Sequence, residues 1–139
     1  LDELAGLPLA VEFRHNSWAT EKVFSELARR NVTLVAVDEP ALPGLFPKLA
    51  QVTSPDLFYV RFHGRNAKGW RSGNMQQQFD YDYSHAELEE WAHIIQTKMI
   101  PQARSGAIFF NNHVRGQAPK NARHLIHLLL ETDNLSQPG

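Results

Sequence analysis

Short apolar segments alternate with longer amphipathic ones along this chain, and the alternation limits the possible folds more than any other feature. The apolar segments cover residues 7–14, 32–38, 57–63 and 107–111. In most of the intervening stretches, apolar residues recur every three or four positions, as on the buried side of a helix. Strands that alternate with helices predict an α/β fold with about four parallel βα units. The sheet is either open and doubly wound or closed as a barrel.

The first two strands and the helix between them carry clear local signals. Residues 32–38, VTLVAVD, are β-branched and almost continuously apolar, which is typical of a parallel strand covered on both sides. After the first strand, Asn16 or Ser17 offers a side-chain oxygen that predicts a helix beginning near Trp18. This helix is predicted to face the sheet through one apolar stripe, formed by Val23, Phe24, Leu27 and Ala28.

The connections after the second and third strands are not simple helices, unlike the first. The one after the second strand is predicted to be irregular because it contains the prolines Pro40, Pro43, Pro47 and Pro55. Residues 64–83 are too long for a turn and are typical of a lid. Ser84 and Glu87 form a capping-box pattern, which predicts a helix with the apolar stripe Leu88, Trp91, Ala92, Ile95 and Met99. A last helix, before a polar tail, is predicted from Ala118, Ala122, Leu125 and Leu129.

Charge and residue usage narrow the class of protein. Fourteen Lys and Arg residues against fifteen Asp and Glu give a formal net charge of -1, so the chain has no overall basic field to attract nucleic acid. The absence of cysteine excludes disulfides, thiolate zinc sites and Cys nucleophiles, and it agrees with a reducing compartment. No apolar run has the length of a membrane span. These features predict a soluble, cytoplasmic protein without a membrane partner.

Polar residues stand at the end of every predicted strand, where parallel α/β folds bind ligands. Alternation places Glu12 and Arg14 on one face of the first strand, and Arg61 and His63 on one face of the third. If the apolar faces pack on helices, the charged faces point into a barrel. The predicted cluster near its mouth then contains Glu12, Arg14, Asp38, Arg61, His63 and Asn111.

Two interpretations of this cluster remain open at the level of sequence. In one, Arg14 and Arg61 hold an anionic group of a substrate while Glu12, Asp38 or His63 moves protons. In the other, the arginines only neutralise buried carboxylates. Several of these residues are metal-ligand types, but no close ligand motif supports a site, so no metal ligand is assigned and any cofactor is unknown.

The connection 64–83 and the end of the fourth strand add further candidates. Three glycines and three basic residues suit a phosphate, although their spacing matches neither the P-loop nor the dinucleotide fingerprint; they are Gly64, Gly69, Gly73, Arg65, Lys68 and Arg71. The aromatic residues Trp70, Tyr81 and Tyr83 either stack on a base or sugar or pack the connection down. Asn111 and Asn112 either donate to a ligand or satisfy backbone groups.

Four motifs together resemble the YecE-like family (domain of unknown function seventy-two). They are VEFRHNSW at 11–18, YVRFHGR at 59–65, YDYSHAELEEWA at 81–92 and FFNNHVRGQAPKNA at 109–122. The resemblance implies a TIM-like (β/α)8 barrel, of which this chain, as a single partial-barrel domain over residues 1–139, is the C-terminal half. The N-terminal half of that barrel is expected to be absent here. The family's matching positions are Glu12, Arg14, Trp18, Arg61, His63, Gly64, Asn111, Asn112, Asn121 and Ala122.

Three functional hypotheses follow from the sequence. The leading one is a hydrolase or isomerase of a small anionic, phosphorylated or sugar-like compound, with Arg14 and Arg61 as anion clamps and His63 or Glu12 as acid-base groups. The first alternative is nucleic-acid binding or a metal-dependent nuclease-like activity, by analogy of fold and from the basic and aromatic connection 64–83. The second is a half-barrel fragment that has no activity of its own or forms a homodimer through its exposed edges. Whether the chain is an enzyme stays open.

Overall fold

In the part of the chain that the structure describes, residues 1–136, four parallel strands form one sheet. The structure is a computed structural model, and it describes side-chain burial for residues 1–131. Each strand lies beside its neighbour in sequence. The strands are β1 (Ala10–Val11), β2 (Thr33–Asp38), β3 (Leu57–Phe62) and β4 (Ser105–Phe110). This order confirms the predicted alternation, because parallel neighbours need a long crossover connection between them.

Helical segments follow β1, β3 and β4, whereas the proline-containing connection between β2 and β3, residues 39–56, contains none. The helical segments are α1 (Glu21–Arg29), α2 (Ala67–Ser72), α3 (Met75–Gln78), α4 (His85–Ile94) and α5 (Gln117–Ser136). The capping box predicted at Ser84 and Glu87 is present at the start of α4. Beyond Ile94 the helix continues as a π-helical turn over Ile95–Met99. The predicted polar tail falls partly on residues 137–139, outside the described residues.

The register of the strands decides which side chains share a face. Val37 of β2 lies opposite Arg61 of β3, whereas Asp38 lies opposite Phe62. Residues opposite each other in a ladder point to the same side of the sheet, and successive residues point to opposite sides. Val37 and Arg61 therefore belong to the face that a barrel would enclose, and Asp38 and Phe62 belong to the face covered by helices.

Two apolar cores lie on this sheet. The predicted stripe of α4 and its continuation is buried as expected, and it packs against β3 and α5 in a core that includes Phe62, Leu88, Trp91, Ile95 and Leu125. Leu88 and Trp91 are fully buried, and each such side chain stabilises the fold by about 1.5–3 kcal/mol. The second core joins α1 to β2 and includes Phe24, Leu27, Leu34 and Phe46.

Two boundaries at the N-terminal side differ from the predictions. The strand predicted over residues 7–14 is paired only at Ala10–Val11, because β1 has a sheet partner on one side alone among the described residues. The helix predicted from Trp18 begins at Glu21 instead. Thr20 caps it by accepting from the Val23 amide, while residues 16–18 form a short 3-10 turn.

The connection 64–83, predicted as a lid-like loop, is also more regular than expected. It contains α2 and α3, and Asn66 holds them together by donating to the carbonyl oxygens of Gln77 and Asp80. Gly69 lies so close to Gln77 that a Cβ atom would approach the Gln77 carbonyl oxygen to 2.2 Å. The segment is thus a packed helical pair. None of the helices in the described residues is long and apolar enough to cross a membrane.

Candidate functional site

A row of three hydrogen-bonded side chains lies at the carboxyl ends of β1, β3 and β4. The Nε2 atom of His63 is 2.6 Å from Oε1 of Glu12, and the amide Nδ2 of Asn111 is 3.3 Å from Nδ1 of His63. With the Asn111 amide donating to Nδ1, the ring proton sits on Nε2 and points at the Glu12 carboxylate. The His63 side chain is only 5% exposed. A carboxylate, an imidazole and an amide thus form one continuous chain.

The Glu12 carboxylate also binds an arginine from the neighbouring strand. Its Oε2 atom accepts from Nη1 of Arg61 at 3.0 Å. Burial by itself would raise the pKa of Glu12, but the hydrogen bond from His63 and the positive charges of Arg61 and Arg14 outweigh it and lower the pKa below the ordinary value. Glu12 is therefore an anion at neutral pH.

Arg14 completes the positive side of the cluster. Its side chain is exposed, and it forms no ion pair within the described residues. Its charge is nevertheless close enough to act on the carboxyls of Glu12 and Glu39. Arg14 and Arg61 together carry more positive charge than Glu12 neutralises, so the mouth keeps a cationic character.

Glu39 is a member of this cluster that the sequence analysis missed. It follows β2 directly and lies on the same side of the chain as Val37 by alternation. Burial, and then repulsion from Glu12, raise its pKa to about 7, with a smaller opposing effect of Arg14. Its position immediately after a strand end was the available signal, and the apolar residues around it gave no further indication.

Asp38 does not join the cluster, and its predicted place at the barrel mouth is wrong. Its carboxylate points to the helix-covered face and accepts from Trp91 Nε1 at 2.6 Å, Tyr83 OH at 2.8 Å and two nitrogens of Arg65 at 2.9 and 2.7 Å. The cause is the register, because Asp38 lies opposite Phe62. Asp38 is 1% exposed, and these hydrogen bonds occupy both oxygens of its carboxylate.

Asn112 also lies away from the mouth, which corrects its assignment as a substrate-binding residue. It is fully buried, and its amide nitrogen donates to the Tyr81 carbonyl and to Oδ1 of Asn121. The Asn121 amide in turn donates to Asp82. Successive residues after β4 point in opposite directions, so Asn111 faces His63 while Asn112 ties the connection 64–83 to α5. Of the predicted pair, only Asn111 reaches the site.

The connection 64–83 covers one side of His63. The Phe79 ring lies 6.2 Å from the His63 ring and 5.7 Å from the His113 ring. Arg65, one of the predicted phosphate ligands, is turned inward to Asp38 and Glu87. The other basic residues of this connection, Lys68 and Arg71, are exposed.

Two of the four aromatic side chains of the connection, those of Tyr81 and Tyr83, pack inward. Tyr83 is buried and donates to Asp38, while Tyr81 donates to Glu87. Trp70 stacks edge-on against Phe79 at 6.3 Å. Within the described residues, no group of three or more His, Asp or Glu side chains is arranged to hold a metal ion.

Comparison with known proteins identifies the family to which this fold belongs. The family model described as "Protein of unknown function DUF72" matches residues 1–138. The chain belongs to the DUF72 family. A DUF72 protein of Enterococcus faecalis V583 superimposes with a TM-score of 0.83 at 33% identity, over 96% of this chain and 50% of that one. A DUF72 protein of Thermotoga maritima MSB8 gives a TM-score of 0.78 at 36% identity, over 95% and 47%.

A curated relative supports the same membership. The UPF0759 protein YunF of Bacillus subtilis (strain 168) is 28% identical, and the match covers 91% of this chain and 48% of that protein. The chain thus spans about half the length of the DUF72 relatives it matches. Its four parallel βα units form an α/β fold that corresponds to half of a TIM-like barrel, which agrees with the predicted fold class.

Proposed function

We propose that this chain carries the acid-base and anion-binding side of an enzyme site, a hydrolase or isomerase acting on a small anionic, phosphorylated or sugar-like compound. The observation that supports this proposal best is the hydrogen-bonded chain of Glu12, His63 and Asn111 beside Arg14 and Arg61. These residues stand beyond the carboxyl ends of parallel strands, where TIM-barrel enzymes bind their substrates.

The charge balance favours a site over an internal network. A purely structural network needs only enough positive charge to pair its buried carboxylates, because an unpaired charge is costly when buried and not when solvated. Here Arg61 uses one guanidinium nitrogen for Glu12, and Arg14 has no carboxylate within ion-pair distance in the described residues. An anionic group between the two arginines would complement this surplus, as planar guanidinium groups bind phosphate and carboxylate well.

The acid-base role rests on the orientation of His63. A histidine needs a partner that fixes its tautomer before it can exchange protons in a defined direction. Asn111 supplies that partner at Nδ1, and Glu12 stabilises charge at Nε2. Glu12 is anionic at neutral pH because its pKa is lowered. The arrangement resembles the carboxylate and imidazole pairs with which enzymes move protons.

The experiment is a calorimetric titration of the chain with inorganic phosphate and with a set of phosphorylated sugars. Arg14→Ala is the informative variant, because Arg14 forms no ion pair whose loss would disturb the fold. A charge-assisted hydrogen bond is worth about 1.5–3 kcal/mol, so we expect phosphate affinity to fall by roughly 10- to 100-fold. Arg123→Ala, an exposed change on α5, should leave it unchanged. Equal affinity in the wild type and Arg14→Ala would contradict the proposal.

A further inference from the structure

We propose that Glu39 acts in its protonated form as a hydrogen-bond donor of this site, and that the cavity beside it receives an uncharged, carbonyl-bearing part of the substrate. This inference rests on the proposed function, because it adds a second binding region next to the anion site at Arg14 and Arg61. It assigns Glu39 a role distinct from that of Glu12.

The first support is the cavity itself. A space of about 600 Å³ opens beyond the end of β2, and small-molecule sites typically occupy about 300–1,000 Å³. Its walls come mainly from the proline-rich connection after β2, and they include the apolar residues Leu42, Leu45 and Phe46. The polar residues of the wall are Asp38, Glu39, Lys48 and Arg65.

The second support is the state of the Glu39 carboxyl. Its Oε1 atom is buried and has no hydrogen-bond partner in the part of the chain that the structure describes. A buried carboxylate without a partner is costly, whereas a protonated carboxyl needs much less stabilisation. By contrast, Asp38 beside it accepts from Trp91, Tyr83 and Arg65. Two adjacent carboxyls therefore have opposite environments, one fully paired and one left for a ligand.

Burial and the nearby charges together favour the protonated form of Glu39. Glu12 and Asp38 favour this form, and Arg14 opposes it. The two basic residues of the cavity wall are paired with other carboxylates, Arg65 with Asp38 and Glu87, and Lys48 with Glu90. Burial is the largest influence, and the pKa of Glu39 rises to about 7. At neutral pH a large share of the chains thus present a neutral carboxyl to the cavity.

This chemistry selects the ligand class. A protonated carboxyl between apolar walls donates to an uncharged oxygen acceptor, and a carbonyl oxygen is the strongest such acceptor in small metabolites. An anionic group on the same compound would lie towards Arg14, whose charge acts on Glu39. In such an arrangement Glu39 polarises the carbonyl while Arg14 attracts the anion, which suits an isomerase or a hydrolase.

The test uses two probes that separate this inference from the proposed function. Hydroxyacetone is uncharged at all accessible pH values and carries a carbonyl, so its binding depends on the cavity and does not require Arg14. Inorganic phosphate reports the anion site alone. Both are titrated into the ¹⁵N-labelled chain at about pH 5.5 and about pH 8.5, and the amide shifts of Ala41, Leu42 and Ala67 are followed, since these residues line the cavity.

In the wild type, hydroxyacetone should shift these amides, with an affinity roughly 30-fold lower at the higher pH, because only the protonated fraction of Glu39 binds. Glu39→Gln should bind with the same affinity at both pH values, since the amide stays a neutral donor. Glu89→Gln, an exposed change on α4, should keep the wild-type pH dependence.

Two results would overturn the inference. One is the absence of hydroxyacetone shifts at the cavity residues, and the other is a pH dependence that survives in Glu39→Gln. If phosphate still binds in an Arg14-dependent manner in either case, only the role of Glu39 is refuted. If phosphate binding is absent as well, the proposed function fails with it.

Discussion

Replacing Asp38 by Asn tests the interpretation that this residue holds the fold together and takes no part in acid-base chemistry. The Asp38 carboxylate is 1% exposed and accepts four hydrogen bonds, from Trp91, Tyr83 and two nitrogens of Arg65. Asparagine keeps the shape but turns one acceptor oxygen into a donor nitrogen. Half of the donors then face another donor, and Arg65 loses its main counter-charge.

The expected cost follows from these contacts. Removing one partner of a buried ion pair costs about 3–5 kcal/mol. A hydrogen bond to a charged group is worth about 1.5–3 kcal/mol, so the loss of two such bonds gives a similar figure. Arg65 keeps its contact with Glu87 and is 26% exposed, which limits the penalty. We therefore expect Asp38→Asn to lower the free energy of unfolding by about 3–5 kcal/mol, a large part of a typical total of about 5–15 kcal/mol.

The assay is urea unfolding followed by Trp fluorescence and by far-ultraviolet circular dichroism. The midpoint should fall while the dependence on urea concentration stays unchanged, as expected for a change in stability alone. Glu89→Gln is the control, because it changes only an exposed contact with His85 on α4 and should leave the midpoint unchanged. A loss below about 1 kcal/mol for Asp38→Asn would contradict the stabilising role of the Asp38 carboxylate. An acid-base role would instead predict normal stability with lost turnover.

Three further predictions concern Glu39, Gly64 and nucleic acid. The pKa of Glu39 is about 7 in the folded chain and 4.5 when unperturbed, so the unfolded chain loses the Glu39 proton at lower pH than the folded chain does. The wild type therefore loses stability as pH rises from about 4.5 to about 7. Glu39→Gln should therefore match the wild type at about pH 4 and exceed it by about 1–3 kcal/mol at about pH 8, measured by urea unfolding; a constant difference would contradict the raised pKa. Gly64→Ala should destabilise the fold by about 1–3 kcal/mol, because φ is +91° and the new Cβ atom would lie 2.7 Å from the Cβ atom of Tyr81. In the control Gly73→Ala the Cβ atom meets no neighbouring atom, so the cost should be smaller. Equal shifts of the melting temperature in the two variants would contradict a steric clash at Gly64. A gel-shift titration with short duplex and single-stranded DNA at low salt should show no retardation, since the net charge is -1 and Arg65 is turned inward; clear retardation would favour the nucleic-acid alternative.

The sequence predicted the fold well where periodicity is strong. The buried stripe that includes Leu88 and Trp91 and the capping box at Ser84 appear as expected, since both signals are local and set by helix geometry. The start of the first helix was less predictable, because Asn16, Ser17 and Thr20 are all capping residue types. Tertiary packing, and not local preference, decides among them.

The site was predictable in part for the same reason. Alternation along single strands placed Glu12, Arg61 and His63 on one face, and the structure brings these three together. Asp38 was misplaced because its face depends on the register between β2 and β3, which no pattern within one strand reveals. Glu39 was missed because its raised pKa comes mainly from burial, which only the folded chain creates.

The most direct test of the central claim is a crystal of this chain soaked with inorganic phosphate. We expect difference density for a phosphate ion between the guanidinium groups of Arg14 and Arg61, beside the row of Glu12, His63 and Asn111. The same soak of Arg14→Ala crystals should show no ion there. Phosphate bound only elsewhere, or density at the mouth that persists without Arg14, would contradict an anion-binding site at the strand ends.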